Sequence, residues 1–456
     1  MKKIISIIAI VMFVNNAIAQ TEVSGDQTGT WTAINSPYNV IGEISIPSGQ
    51  VLNIEPGVEV NFQGYYKFVV NGNLQAIGTE SDSIFFTTDN QSIGWGGIRF
   101  DGSGVSNMTY CRIEFGKSSG EYPDNLGGAV ALLTTDAVFS NCVFADNDAS
   151  ANDSGSGGAV YAINTGSLTV FSECVFLRNH AYGEGGAIKY TADNGSKLID
   201  CVFFENTCNY GGGAISFYSV FDTKVTNCLF AYNYTMYSSG GAIHTLGFSN
   251  VIDFENCTMY SNYAVTGDGG AVNLVYTTAT FVNCIITENP GAYSDDVFLD
   301  LGGSAEINYS NLAMPDGASG ANNINVDPLF VDADNYDFHL LESSSCIDAG
   351  TDIGLEFVGE APDMGCYEYG ISTGIDQNFE NSFSFFPNPT TGKLFIENQE
   401  MISGEIQIID INGRVVLEQN GLSQNSTIDL SSLESGIYLL SIKTGDKVFT
   451  SRVVKE

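Results

Sequence analysis

Lys189 and His244 are the residues of this 456-residue chain best suited to acid–base work, one a cation and the other a titratable imidazole. Held on one face, they could act as a base and a substrate clamp. Tyr182, Tyr210, Tyr234, Tyr237 and Tyr263, with Glu184 and Asp268 among them, suit a different task. Ring faces take the C–H edges of a sugar and carboxylates accept its hydroxyls, which is what contact with a neutral glycan requires. The alternative is that each ring packs on the neighbouring turn of chain. Asp332, Asp334 and Asp337 lie in a stretch, residues 311–370, with 12 Asp or Glu and no Lys or Arg. Hard oxygen ligands this close together suit Ca2+, although the run lacks the ligand spacing and glycine of a calcium loop, and a solvated turn is the alternative. No other cofactor is called for. Asp295-Asp296, the one Asp-Asp pair, reads as a solvated loop and not as a pair of catalytic carboxylates. His180, His244 and His339 are too scattered for a nucleophilic triad or a zinc site.

A repeat must position these groups. Cys111, Cys142, Cys174, Cys201, Cys228, Cys257 and Cys284 recur at intervals of 31, 32, 27, 27, 29 and 27, and Gly-Gly-Ala begins at Gly127, Gly157, Gly185, Gly212, Gly240 and Gly269. Two residues after each Cys stands Ile113, Phe144, Phe176, Phe203, Phe230, Met259 or Ile286. Five after all but the first stands Asn147, Asn179, Asn206, Asn233, Asn262 or Asn289. The apolar pieces are short and rich in Val, Ile, Phe and Thr, with no helical period, so each unit is strands and bends. That describes a parallel β-solenoid, whose coils stack about 4.8 Å apart so that equivalent positions form ladders. Cys, the Phe two later and the Val or Ile after Gly-Gly-Ala form interior columns. Asn suits the bends, because it tolerates the left-handed region and its amide can bond the next coil's Asn.

The same register places Tyr161, Lys189, Ser216, His244 and Asn273 on one outward ladder, a mixed polar face with Lys189 and His244 about 10 Å apart. Asp146, Arg178 and Glu205 form a second, charge-balanced ladder. Stacked cysteines on parallel strands point the same way, a poor geometry for S–S bonds, so the column is expected to be buried thiols. Cys346 and Cys366 lie outside it and are the pair expected to form a bridge, with Cys208 left over.

Composition narrows the function. The chain has 53 acidic against 16 basic side chains, a formal charge of −37, so it lacks the clustered cations that phosphate backbones and anionic membranes need. Nucleic acid is thereby excluded as a partner. With 43% hydrophobic and only 15% charged residues it is not a disordered acidic polymer. Lys2 and Lys3, an apolar run from Ile4 to Val14 and Ala17-Ile18-Ala19 make residues 1–19 a signal peptide, cut before Gln20. Removing the two lysines takes the charge to −39, and no other segment is apolar for long enough to span a membrane.

Residues 111 to 289 resemble the right-handed parallel β-helix of the pectate-lyase-like superfamily, specifically its bacterial surface-protein branch with NC-x-F-x-x-N and GGA-I repeats. Ile44-Ser45-Ile46, Val51 to Gly57, Phe68 to Gly72, Leu74 to Gly78 and Trp95 to Ile98 resemble its entry coils. Asp327-Pro328-Leu329-Phe330, Asp337 to Leu340, Cys346 to Gly350 and Asp363-Met364-Gly365 resemble a closing segment, although Cys366 departs from that pattern. The resemblance implies architecture; the superfamily's enzymes cut acidic polysaccharides with carboxylates and a Lys, Arg or His, and no such set can be assembled here.

Beyond a polar linker at 371–382 the pattern changes to alternating strands. Phe386-Pro387-Asn388-Pro389 with Gly392-Lys393-Leu394, Asp410 to Val416 around an Asn-Gly turn, Leu433 to Tyr438 and Arg452 to Glu456 resemble the C-terminal sorting domain of the type IX secretion system of Gram-negative bacteria. That resemblance implies export across the outer membrane by the type IX machinery, removal of the domain near the linker, and attachment to surface lipopolysaccharide or release. A carbohydrate-binding sandwich is the alternative, and the segment has no Trp to build its aromatic row.

The expectation is an all-β protein, a right-handed parallel β-helix followed by a small antiparallel β-sandwich. Its parts are the signal peptide at 1–19, helix at 20–310, acidic closing segment at 311–370, linker at 371–382 and sorting domain at 383–456. It should be secreted or held at the cell surface, as a non-catalytic adhesin or glycan-contacting protein. The competing expectation is a polysaccharide lyase or glycoside hydrolase.

Overall fold

The computed structural model describes residues 20–370, save 103, 151–152, 248–249, 293, 295 and 334–335, and, of the C-terminal part, 383–386, 390, 392–398, 405–410, 415–420, 425–433, 436–444 and 447–455. The expected signal peptide and the expected linker therefore lie outside the described residues. Two compact units divide near residue 372.

The first unit is a parallel β-solenoid of about ten coils. Around Cys174 the chain runs Val170–Ser172, turns, runs Val175–Leu177, turns, makes the short strand His180–Ala181, passes Gly185-Gly186-Ala187 and runs Ile188–Thr191. Equivalent strands of the repeat pair in parallel, coil on coil: Val175 meets Val202, Phe171 meets Leu198, and Ile188 meets Ile215. The strands after Cys and those after Gly-Gly-Ala form two ladders that Tyr38–Ile46 joins, because its two halves pair with one ladder each.

Three corners per coil adopt left-handed backbone: Glu173 at φ 52°, Arg178 at φ 51° and Ala192 at φ 53° in this one. The Asn of each bend is not among them. The residue before it takes the positive φ, as at Asp146, Arg178, Glu205, Tyr232, Ser261 and Glu288, and the Asn side chain is thereby turned inward. Its burial is then tolerable only if every amide hydrogen finds a partner. It does: Asn179 Nδ2 donates to Asn206 Oδ1 and to the Phe144 carbonyl, both at 2.9 Å, and the same pair of bonds repeats from Asn147 to Asn262. The expected inter-coil amide bonding is present, and the expected left-handed Asn is not.

The core columns follow the register. Phe144, Phe176, Phe203 and Phe230 stack with centroids 4.7–4.8 Å apart and rings within 4° of parallel. The seven ladder cysteines are buried free thiols, each donating to a backbone carbonyl of the preceding coil, as Cys228 does to Leu198. Burial pushes the Cys228 thiol well up. The glycines are required where coils touch: a Cβ on Gly186 would lie 2.0 Å from the Gly213 carbonyl oxygen.

The acidic closing segment does more than cover an end. Phe330–Asp332 and Asp337–Leu340 form an antiparallel pair that lies back along the solenoid. Tyr336 meets Phe204 at 4.6 Å, and Phe330 and Phe338 meet Tyr260 at 5.7 and 5.5 Å. The Tyr232 hydroxyl donates to the Ala333 carbonyl, the Gly365 N–H to the Asn283 carbonyl and the Cys366 N–H to Thr258 Oγ1. Val202, Leu229 and Ile285, on the outer side of their strands, are buried. The expected Cys346–Cys366 bridge is absent, since both are free thiols. Cys346 sits in an apolar cluster with Ile285, Leu340 and Met364 and accepts from Asn311 Nδ2, while Cys366 is anchored on Thr258 instead.

The second unit has two antiparallel sheets. Phe383–Phe386, Lys393–Asn398 and Asn425–Asp429 make one, and Val415–Asn420, Glu405–Asp410, Gly436–Thr444 and Lys447–Lys455 the other. Leu394, Ile396, Ile406, Ile408, Ile428, Leu430, Leu440 and Val453 form its core. The Asn-Gly turn lies outside the described residues, but the strands it should join do pair. Among the described residues no helix is long and apolar enough to cross a membrane.

Candidate functional site

The strands after Gly-Gly-Ala carry the outward ladder as expected, with Tyr161, Lys189, Ser216, His244, Asn273 and Phe298 in successive register. It is not an open polar face. Lys189 is 7% exposed, His244 8%, Asn273 1% and Ser216 fully buried, because the loops that precede each Gly-Gly-Ala close over it. Glu184, in one such loop, turns inward. It takes an ion pair from Lys189 and a hydrogen bond from Ser216 Oγ at 2.8 Å, and Lys189 Nζ also donates to Ser216 Oγ at 2.9 Å. Burial raises the Glu184 carboxyl, but the Lys189 ammonium, His244 and the Ser216 hydroxyl together outweigh that and hold it below the usual carboxylate range.

His244 lies beneath Gly211, where an added Cβ would come within 2.9 Å of the imidazole Cγ. Burial brings its pKa down to about 4, against the pull of Glu184. Its Nδ1 and both amide atoms of neighbouring Asn273 are buried without a hydrogen-bond partner. Lys189 and His244 are therefore brought onto one face, as expected, but the ammonium is engaged by Glu184 and the imidazole is covered.

The loop tyrosines lie above this ladder. Tyr210 is 44% exposed and Tyr237 62%, Tyr182 is half-buried, and the three rings follow one another at 5.8 and 6.1 Å on successive coils. Tyr234 and Tyr263, both exposed, face outward in register from adjacent short strands. Together they make an aromatic flank along the solenoid. Glu184 is half-buried with its carboxylate turned to Lys189, and Asp268 is also half-buried, its Oδ1 accepting from Ser294 in the last loop at 3.3 Å.

Ser294 opens onto a cleft of about 510 Å³ at the end of the ladder, lined also by Asp296, Val297, Phe298, Leu299, Ala313, Met314, Pro315 and Asp316. Asp296 has a second task there: its Oδ1 accepts the side-chain amide of Asn289 and so ends the Asn ladder. Asp295 lies outside the described residues. Of the expected calcium ligands, Asp332 and Asp337 face each other across the closing hairpin, Asp337 Oδ1 meets His339 Nδ1 at 2.7 Å, and Asp334 lies outside the described residues. No group of three His, Cys, Asp or Glu among the described residues is gathered for a metal.

Ser216 and Asn273 were legible as ladder members, but not as buried ones. Phe298 and its cleft were not legible, because the last coil has no Gly-Gly-Ala to mark the register.

A parallel β-solenoid followed by small antiparallel sheets defines an all-β repeat protein. Residues 384–456 match the family of secretion system C-terminal sorting domains, which indicates export by the type IX secretion system and hence secretion or attachment at the cell surface. Residues 200–218, most of one coil, match the repeat of Chlamydia polymorphic membrane proteins. No curated protein matches the chain.

Proposed function

We propose that this protein is displayed on, or released from, the outer surface of a Gram-negative bacterium as a non-catalytic adhesin whose tyrosine flank contacts an extracellular glycan. In this reading the solenoid belongs with the surface-protein branch of the pectate-lyase-like superfamily. The C-terminal domain is removed near residues 371–382, and the remainder is held by lipopolysaccharide or shed.

The observation that carries the reading is the row of Tyr182, Tyr210 and Tyr237 at 5.8 and 6.1 Å along successive coils, with Tyr234 and Tyr263 beside it. Exposed rings in a row contribute little to the core and have the amphipathic character that sugar faces use. A polysaccharide lyase or hydrolase is less well supported, because Lys189 and His244 lie under loops and Lys189 is neutralised by Glu184.

A glycan array probed with the mature chain, beside reducing-sugar and unsaturated-product assays on the same glycans, tests it. Binding without product is expected, with Tyr210→Ala and Tyr237→Ala each weakening it by about 1–3 kcal/mol, by analogy with bases stacked on aromatic rings, and leaving the melting temperature unchanged. Product formation that Lys189→Ala abolishes, with the tyrosine variants binding normally, would reverse the assignment.

A further inference from the structure

The flank and the cleft are continuous. Tyr182, Tyr210, Tyr237, Asp268 and Ser294 belong to five successive coils, so they span four steps of about 4.8 Å, ~19 Å along the axis. The last link is direct, through the Ser294–Asp268 hydrogen bond. At Ser294 the surface changes from an open row of rings to a concave site of about 510 Å³. Its chemistry is that of a sugar site: Phe298 is a half-buried ring, Asp296 and Asp316 supply carboxylates, and Met314 on the facing loop is an exposed, adaptable apolar wall.

Beside Phe298 in register stands Asn273, 1% exposed, with its amide donor and acceptor both unpartnered, and beside that His244 with Nδ1 unpartnered. Buried polar atoms usually have partners. Neither side chain lines the cleft and each unpaired atom is shielded from the surface, so the pair is an unsatisfied polar spot beside the site and supplies no direct contact to a ligand.

Charge selects among sugars. Among the described residues no Lys or Arg lines the cleft, while Asp296 and Asp316 do, and Asp268 stands at its entrance. Lys189, the cation of the adjoining ladder, is held by Glu184. A uronate or sulfated residue would meet carboxylates without a counter-charge, whereas neutral hydroxyls donate to them.

We infer that the cleft at Phe298 is the end-seat of a linear neutral glycan, holding its terminal hexosyl residue while the preceding residues lie along Tyr237, Tyr210 and Tyr182. This rests on the glycan reading of the flank and adds to it an orientation along the solenoid axis, an end-recognition site and a charge class.

The test is calorimetric titration of the mature full chain with linear manno-, malto- and cello-oligosaccharides of graded length and with oligogalacturonates of the same lengths. At least one neutral series should bind and tighten with length until the flank is covered, and the oligogalacturonates should bind at least tenfold more weakly. Phe298→Ala should weaken neutral binding by tenfold or more, and so should Tyr237→Ala. Should Phe298→Ala not fold, Met314→Ala, at an exposed position, is expected to weaken binding severalfold. If Tyr237→Ala weakens binding while Phe298→Ala and Met314→Ala bind as the parent does, the end-seat is wrong and the flank stands. Oligogalacturonate binding as tight as neutral binding overturns the charge class. If none of the four series binds, the inference and the glycan reading of the flank fall together.

Discussion

Asp296 Oδ1 accepts both the backbone N–H of Asn289, at 3.3 Å, and its side-chain amide, at 2.9 Å, so a carboxylate takes the acceptor role that Asn179, Asn206, Asn233, Asn262 and Asn289 fill on the coils before it. One half of the Asp-Asp pair is thus a structural terminus of a hydrogen-bonded column. Asp296→Asn keeps an acceptor and should leave the melting temperature nearly unchanged. Asp296→Ala strands a buried amide and should cost about 1–3 kcal/mol in denaturant unfolding. Equal effects of the two variants would show that Asn289 does not depend on this acceptor.

Lys189 is the only partner cation that Glu184 has among the described ion pairs. Lys189→Met leaves a carboxylate under the loop without its counter-charge and should destabilise the solenoid by about 3–5 kcal/mol. The double variant with Glu184→Gln should recover most of that loss. A double variant no better than the single one would mean that the pair is held by the loop and does not hold it.

His244 is the group through which acid should act. Its folded pKa, about 4, lies below the unfolded value of 6.5, so the stability it lends is whole above pH 6.5 and is lost as pH falls through 4. Glu184, whose carboxyl is also depressed in the folded chain, acts in the same sense below the usual carboxylate range. Lys189 adds to the cost of charging the imidazole, and Glu184 and Asp300 oppose it. The full difference is about 3 kcal/mol at 1.36 kcal/mol per unit. His244→Gln should flatten the stability profile between pH 6.5 and 4, as read by urea unfolding at fixed pH. An unaltered acid limb would place the titrating group elsewhere.

Removal of residues 382–456 takes away the matched sorting domain and leaves the solenoid intact. The shortened chain should remain in the periplasm, and protease added to whole cells should not reach it. Cleavage at the parental rate would show that the domain is dispensable for display.

The solenoid was legible because its determinants are periodic: Cys, Phe and Gly-Gly-Ala recur in the sequence at the spacing at which they stack. The loops were less so. Glu184 and Tyr182 are two residues apart in one loop and both half-buried, yet one turns to Lys189 and the other meets the Tyr210 ring, and no periodicity records that choice. The bends differ from expectation for a related reason. Asn tolerates the left-handed region, yet the corner falls one residue earlier, on side chains as large as Arg178 and Tyr232, because the Asn amide is needed inside. Cys346 and Cys366 both lie outside the column, but Cys346 packs with Leu340 and Met364 and Cys366 on Thr258.

The way the closing segment lies back along the coils decides how the protein would respond to a mechanical pull. A load drawn through residues 366–370 first meets Cys366 on Thr258 and Gly365 on Asn283, then the rings of Phe330, Phe338 and Tyr336 on Tyr260 and Phe204. These contacts are spread over several coils inward of the last one. Tension would therefore be shared as shear across a broad seam, and the end coil would not be peeled off alone, one hydrogen bond at a time.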